Sequence, residues 1–226
     1  MSKYVEAVLF DLDGTLAATM EPWDCCWARY AAAHGHIWTD FDRHSTHGHG
    51  DWAQHLARVC GVDAVDRVIA DCVEAMIDQV EAGHIELLPG VDALLAAATS
   101  RAVTGVVSAS PRRFVAATLD YFGLRRSLQV VIAREDQPHT KPHPQPWLHA
   151  AALLSVEPNA SVAVEDSVAG IRSAHAAGMR VLAIPSWAPA LSPSEATLAE
   201  YLAPDVGHAQ RWLSSILTQP VHTITH

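Results

Sequence analysis

A doubly wound parallel α/β sheet carrying a small all-helical domain is the fold this sequence predicts, on three observations. From residue 91 onward, helix-length stretches alternate with short β-branched runs, the pattern of a parallel sheet with helices on both faces. Val8, Leu9 and Phe10 close an apolar run that reads as a fully buried strand, and Asp11-Leu12-Asp13-Gly14-Thr15 follows with two carboxylates and a turn. Residues from about 17 to 86 form an all-helical block, so a helical insert interrupts the α/β pattern after its first strand. The expected division is 1–16 and 87–226 for a Rossmann-like core and 17–86 for the helical domain.

Residues 16–20 read as a linker and Glu21-Pro22 as a helix start, since proline is tolerated in a first turn. The helix through residues 23–31 carries Trp23 and Trp27, and its bulk implies a face packed on a neighbour. Histidines then crowd the stretch from His34 to His55, around an expected loop at 43–50. Val65, Val68, Ile69, Cys72, Val73, Met76, Ile77 and Val80 follow helical spacing, and Gly83 is the natural stop. The α/β pattern resumes at 87–90. Helices at 91–98, 111–122, 146–154 and 168–177 lead into strands at 102–107, 129–132, 161–164 and 180–184. The remainder reads as a proline-marked loop from Trp187, a short helix from about Ser194 and a last helix around 206–217.

The length of 226 residues suits one core domain with an insert, and 50% hydrophobic against 18% charged residues argues for a globular protein rather than a disordered one. No apolar run approaches a membrane span, and the early one is cut by Asp11 with no cleavage pattern after it, so a soluble cytoplasmic protein without a membrane partner is expected. A formal charge of -10 argues against a nucleic-acid surface and leaves small ligands, including anionic ones if a metal or local cations are supplied. A monomer or small homo-oligomer is expected. Cys25, Cys26, Cys60 and Cys72 fit neither a zinc spacing nor a disulfide framework and read as buried free thiols. Lys3 and Lys141 are the only lysines, which singles out Lys141.

In a parallel sheet the carboxyl ends of the strands face the ligand crevice. The first supplies Asp11 and Asp13, the second Ser108-Ala109-Ser110, the region after the third Thr140-Lys141-Pro142, and the fourth Glu165-Asp166-Ser167. Two acids one residue apart beside a core call for a cation between them. The inventory suits phosphoryl transfer: Mg2+ takes oxygen ligands, while Lys141 and the Ser108 hydroxyl can compensate charge on the transferring group, with Ala109 and Ser110 beside the substrate. A carboxylate nucleophile divides hydrolysis into two displacements through an aspartyl phosphate.

These four segments, in order from Asp11 to about Ile184, resemble the four motifs of the haloacid dehalogenase-like hydrolase superfamily. The resemblance implies that Asp11 is the nucleophile and that Asp13 protonates the leaving group and then activates water. It puts Ser108 on the second-motif hydroxyl, Lys141 on the third-motif lysine and Glu165-Asp166 on the fourth-motif acids. Mg2+ would be held by the Asp11 carboxylate, the Asp13 main-chain carbonyl and Asp166, with Glu165 either a further ligand or standing behind the ligands. An acid at Asp13 favours phosphate chemistry over C–Cl cleavage.

The helical block is similar to the small cap of the phosphoglucomutase, phosphoglycolate phosphatase and sugar-phosphatase branch, which implies hinges near 16–20 and 85–89 and a small phosphorylated metabolite as substrate. Thr19 sits where a hydroxyl could touch Asp13, or is a plain hinge residue. His47-Gly48-His49 either reads substrate or is a His-rich surface loop, and a zinc site from His44, His47 and His49 is a further alternative. Ala17, Ala18 and Gln145 depart from the branch pattern. The cap has arginines such as Arg43 and Arg58 but no lysine to hold a second phosphate, which favours a phosphatase over a sugar phosphomutase; a non-catalytic phospho-ligand module is the alternative of another class. Arg112 and Arg113 read as a solvated helix face.

Overall fold

The computed structural model describes residues 5–46, 51–185 and 191–217. Six parallel strands, β1 (Ala7–Phe10), β2 (Val103–Val107), β3 (Val130–Ile132), β4 (Ser161–Glu165), β5 (Arg180–Ala183) and β6 (Tyr201–Leu202), form one sheet in the order β3-β2-β1-β4-β5-β6. The first strand therefore lies inside the sheet, paired to β2 on one side and β4 on the other. Side chains alternate between the two faces with period two, so a strand apolar at every position must be covered twice. Val8 and Phe10 join Val106, Val164 and Leu182 beneath the helices α5 (Val91–Thr99), α6 (Arg112–Tyr121) and α10 (Val206–Leu217), while Leu9 joins Val107, Ile132 and Val181 beneath α7 (Gln145–Leu154) and α8 (Val168–Ala176). The doubly wound expectation thus holds. The short strand β6, reached through α9 (Pro193–Ala196), was not anticipated, because two residues carry no readable period.

Between β1 and α5 lie α1 (Met20–Ala33), α2 (Asp40–Thr46), α3 (Trp52–Cys60) and α4 (Val65–Glu81). Both chain crossings run side by side: Ala18 donates its amide to the Glu86 carbonyl and Leu88 its amide to the Leu16 carbonyl, each at 2.9 Å, around a bridge from Ala17 to Leu87. Packing of α4 on α6, with an ion pair from Arg113 to Glu74, seats the helices against the core.

Three expectations need correction. Residues 43–46 are not loop but the end of α2. The cause is a reciprocal cap, in which the Thr39 amide and hydroxyl donate to the Asp42 carboxylate and the Asp42 amide donates back to the Thr39 hydroxyl. The helix α3 was missed as well; it places His55 in the interior, where the imidazole hydrogen-bonds Asp42 at 2.8 Å and ties α3 to α2. The cysteines are all free, but Cys25 is exposed and Cys60 half-buried, since only Cys26 and Cys72 fall on the inward faces of α1 and α4.

Burial pushes the Asp42 carboxyl up, but hydrogen bonds from Thr39, His55 and His36 outweigh it and hold the group well below the usual carboxylate range. A depressed folded-state pKa stabilises above the unfolded value of about 3.9, and that contribution is lost as pH falls through the range beneath it. Asp42→Asn is therefore expected to cost about 1–3 kcal/mol at pH 7, in urea denaturation, and the gap to the unsubstituted protein to narrow as pH is lowered from 6 to 3.

Candidate active site

Sheet topology brings four separate segments to one edge. Asp11 follows β1 directly and its amide donates to the Val164 carbonyl of β4 at 2.9 Å, which carries the strand register into the first acidic residue. Glu165 ends β4 and has no exposed surface. Its Oε2 accepts from the amides of Asp166 and Ser167 and from the Ser167 hydroxyl, each at 3.0 Å. Its Oε1 accepts from Lys141 Nζ at 2.5 Å, and the same ammonium donates to Asp11 Oδ1. Lys141 precedes a cis peptide to Pro142 and lies 4.8 Å from the ring centre of Trp147, which is fully buried beneath it.

Asp13 is held differently. Its Oδ1 accepts from the Thr19 hydroxyl at 2.6 Å and from Trp23 Nε1 at 3.1 Å, and its Oδ2 from the hydroxyls of Ser110 at 2.7 Å and Ser108 at 3.3 Å. Its carboxylate thus bridges α1 and the loop after β2. Ser108 also accepts the Ser110 amide, which shapes that loop. Gly14 makes the turn that follows Asp13 at φ +78, and a Cβ there would run into the Asp166 carboxylate. Glycine is required twice over, by backbone handedness and by space.

Asp11, Glu165 and Asp166 each offer a carboxylate oxygen, and these oxygens lie within 4.8 Å of one another. Burial, with Glu165, Asp166 and Asp13 nearby, pushes the Asp11 carboxyl well above its ordinary range although Lys141 pulls it down. Burial works against the Lys141 ammonium, but Asp11 and Glu165 more than compensate and hold it protonated. One ammonium among these acids leaves a deficit of positive charge. A donor set made only of hard oxygens and short of cations fits a hard divalent ion such as Mg2+.

The acids and Lys141 form the floor of a cleft that opens to solvent, with Ala109, Ser110 and Ser167 beside them. The opposite wall is Met20, Trp23, Trp27, Thr46 and Trp52 from the inserted helices. Asp11, Asp13, Ser108, Lys141, Glu165 and Asp166, chosen from the sequence, meet in one place, and Thr19, Ala109 and Ser110 join them. His47, Gly48 and His49 lie outside the described residues, and with them the zinc alternative. Arg112 and Arg113 lie on the outer face of α6, paired to Asp136 and Glu74. Sequence reasoning missed the tryptophan wall and Trp147 under the lysine. The bulk at Trp23 and Trp27 was the available signal, but nothing in their spacing says which face looks at the acids.

The model of the haloacid dehalogenase-like hydrolases matches residues 5–178, and this chain belongs to that family. It is 37% identical over 125 residues to hexitol phosphatase B of Escherichia coli (strain K12), a match covering 55% of this chain and 54% of that one, so the shared stretch spans about half the relative's length. It is 32% identical over 183 residues to validoxylamine A 7'-phosphate phosphatase of Streptomyces hygroscopicus subsp. limoneus, covering 77% of this chain and 83% of the relative. Among solved structures, CbbY from Rhodobacter sphaeroides in complex with phosphate superposes with a TM-score of 0.76 at 26% identity, over 89% of this chain and 95% of that one.

Because Gly14 is constrained by both φ and the Asp166 carboxylate, Gly14→Ala is expected to lose about 1–2 kcal/mol from the backbone alone and more from displacement of Asp166. Urea denaturation checks the loss.

Proposed function

We propose that the protein is a Mg2+-dependent phosphatase that hydrolyses a small phosphorylated metabolite, a sugar, polyol or hydroxy-acid phosphate, through an aspartyl phosphate. The observation that carries the reading is Asp11 at the floor of the cleft, held by Lys141 and beside Asp166, where a phosphate would meet a carboxylate, a fixed ammonium and a cation site. The named phosphatases among its relatives support it.

Asp11 attacks phosphorus, the bond from phosphorus to the ester oxygen breaks, and Asp13 gives its proton to the departing alkoxide. Water then attacks the phosphoaspartate, loses a proton to Asp13 and releases inorganic phosphate, with Asp11 restored. Lys141 compensates charge on the phosphoryl oxygens, and Ser108 and Ser110 orient the Asp13 carboxylate. Mg2+, held by the Asp11 and Asp166 carboxylates and the Asp13 main-chain carbonyl, would supply charge neutralisation for phosphate approaching a carboxylate. Glu165, with both oxygens already accepting, fixes Lys141 in place rather than serving as a ligand.

In this reading residues 17–86 are a cap on a core of 1–16 and 87–226. The Thr19 hydroxyl and the Trp23 N–H both donate to Asp13 Oδ1, and movement on the paired linkers would release that oxygen for proton transfer. A phosphomutase must grip a second phosphate, but Lys141 is the only cationic side chain on the cleft wall among the described residues. Arg43 is engaged by Asp24 and Asp40, and Arg58 by His55. That favours the phosphatase. The reading also takes the enzyme as cytoplasmic, a monomer or small homo-oligomer without nucleic-acid or membrane partners; no helix of the described residues is long and apolar enough to cross a membrane.

Asp11→Asn is expected to abolish Mg2+-dependent phosphate release from acetyl phosphate while circular dichroism stays unchanged; an active variant overturns the mechanism. Mg2+ should raise the melting temperature of the unsubstituted protein by mass action, and Asp166→Asn should lose most of that rise, as read by calorimetry.

A further inference from the structure

The cleft has two unlike ends. On the far wall Trp23, Trp27 and Trp52 form a triangle of indoles with ring centres 5.4 to 5.6 Å apart, braced from behind by Phe114 at 5.0 Å from Trp23. All three are buried, and all three line the cleft. Such a wall offers a stiff apolar surface with little conformational freedom to lose.

Two of the polar groups on that wall are already committed. The Trp23 N–H is committed to Asp13, and the Thr46 hydroxyl donates to the carbonyls of Asp42 and Arg43 within α2. On the floor, Ser110 donates to Asp13. Hydroxyls laid against the indole faces would lose water without gaining partners from those faces, which costs free energy at each one. A ring turns an apolar C–H or aromatic face to an indole and keeps its polar edge away from it. A second phosphate would meet no cation there among the described residues.

We propose, on the basis of the phosphatase reading above, that the tryptophan wall selects monophosphate esters whose alcohol part is a ring with an apolar face, against open-chain polyol phosphates and against bisphosphates. Trp52 is the specificity residue to test, because unlike Trp23 it makes no bond to the acids.

The test compares glucose 6-phosphate with glucitol 6-phosphate, which share carbon number and phosphate but differ in ring closure, and with glucose 1,6-bisphosphate. Phosphate release by the full chain with Mg2+ is expected to give kcat/KM at least about ten-fold higher for glucose 6-phosphate than for either of the others, a difference worth roughly 1.4 kcal/mol. Trp52→Leu, which stays apolar but loses the flat face, should bring the ring-to-chain ratio close to one, and Trp52→Phe should restore most of it. A preference for the open chain or the bisphosphate, or a ratio unaltered in Trp52→Leu, overturns the proposal. The same ligands are titrated by calorimetry into Asp11→Asn, whose binding ratio reports on the wall without turnover. Failure to release phosphate from any ester, acetyl phosphate included, would sink the phosphatase reading, while the binding ratio would still decide for or against ring selection.

Discussion

The ammonium of Lys141, shared between Asp11 and Glu165, is the contact on which the acidic edge of the sheet depends. Carboxylates this close and this dry repel one another, and the pressure shows in the Asp11 carboxyl, driven upward by burial and by its acidic neighbours. Lys141 relieves part of it. Glu165 in turn is fixed by the two amides that follow it, and the Ser167 hydroxyl that meets its Oε2 also caps α8. Removing the ammonium would strand two buried carboxylates, a cost that buried ion pairs impose when one partner is lost. The lysine is also built in from below, by Trp147.

Much of this was legible in the sequence. A run apolar at every position, as at Val8 to Phe10, can only be a strand covered on both faces, and in a parallel sheet its carboxyl end must reach the edge where β2 and β4 also end. Asp11, Ser108 and Glu165 meet because their strands are neighbours; the parallel pattern predicted that they share an edge, and the strand order shows that they adjoin on it. Lys141 stood out by scarcity. The inserted helices were harder to read. Helices α2 and α3 are short, and what fixes them is the Thr39–Asp42 box and the contact from Asp42 to His55, both side-chain events that hydrophobic spacing does not record.

The direction in which a helix turns its bulk is the other thing spacing leaves open. Trp23 and Trp27 lie on one flank of α1, but only the packing of α1 against α3 and α6 decides that this flank faces Asp13 and not the helix behind. The same indole that walls the cleft donates to the second acid. Substrate reading and proton chemistry are joined in the proposed reaction through one side chain, so what fills the cleft and what Asp13 does cannot be tuned independently at Trp23, whereas at Trp52 they can.

The pairing of Ala17 with Leu87 has a consequence for how such a molecule can change over generations. The polypeptide leaves the sheet and rejoins it at adjoining points, so to the strands the whole helical excursion amounts to a hairpin. Beyond the Thr19 and Trp23 contacts to Asp13, helices there can be lengthened, exchanged or reshaped without altering strand order or the seating of Asp11, Glu165 and Asp166, so the acidic edge can be inherited intact while the wall opposite it diverges.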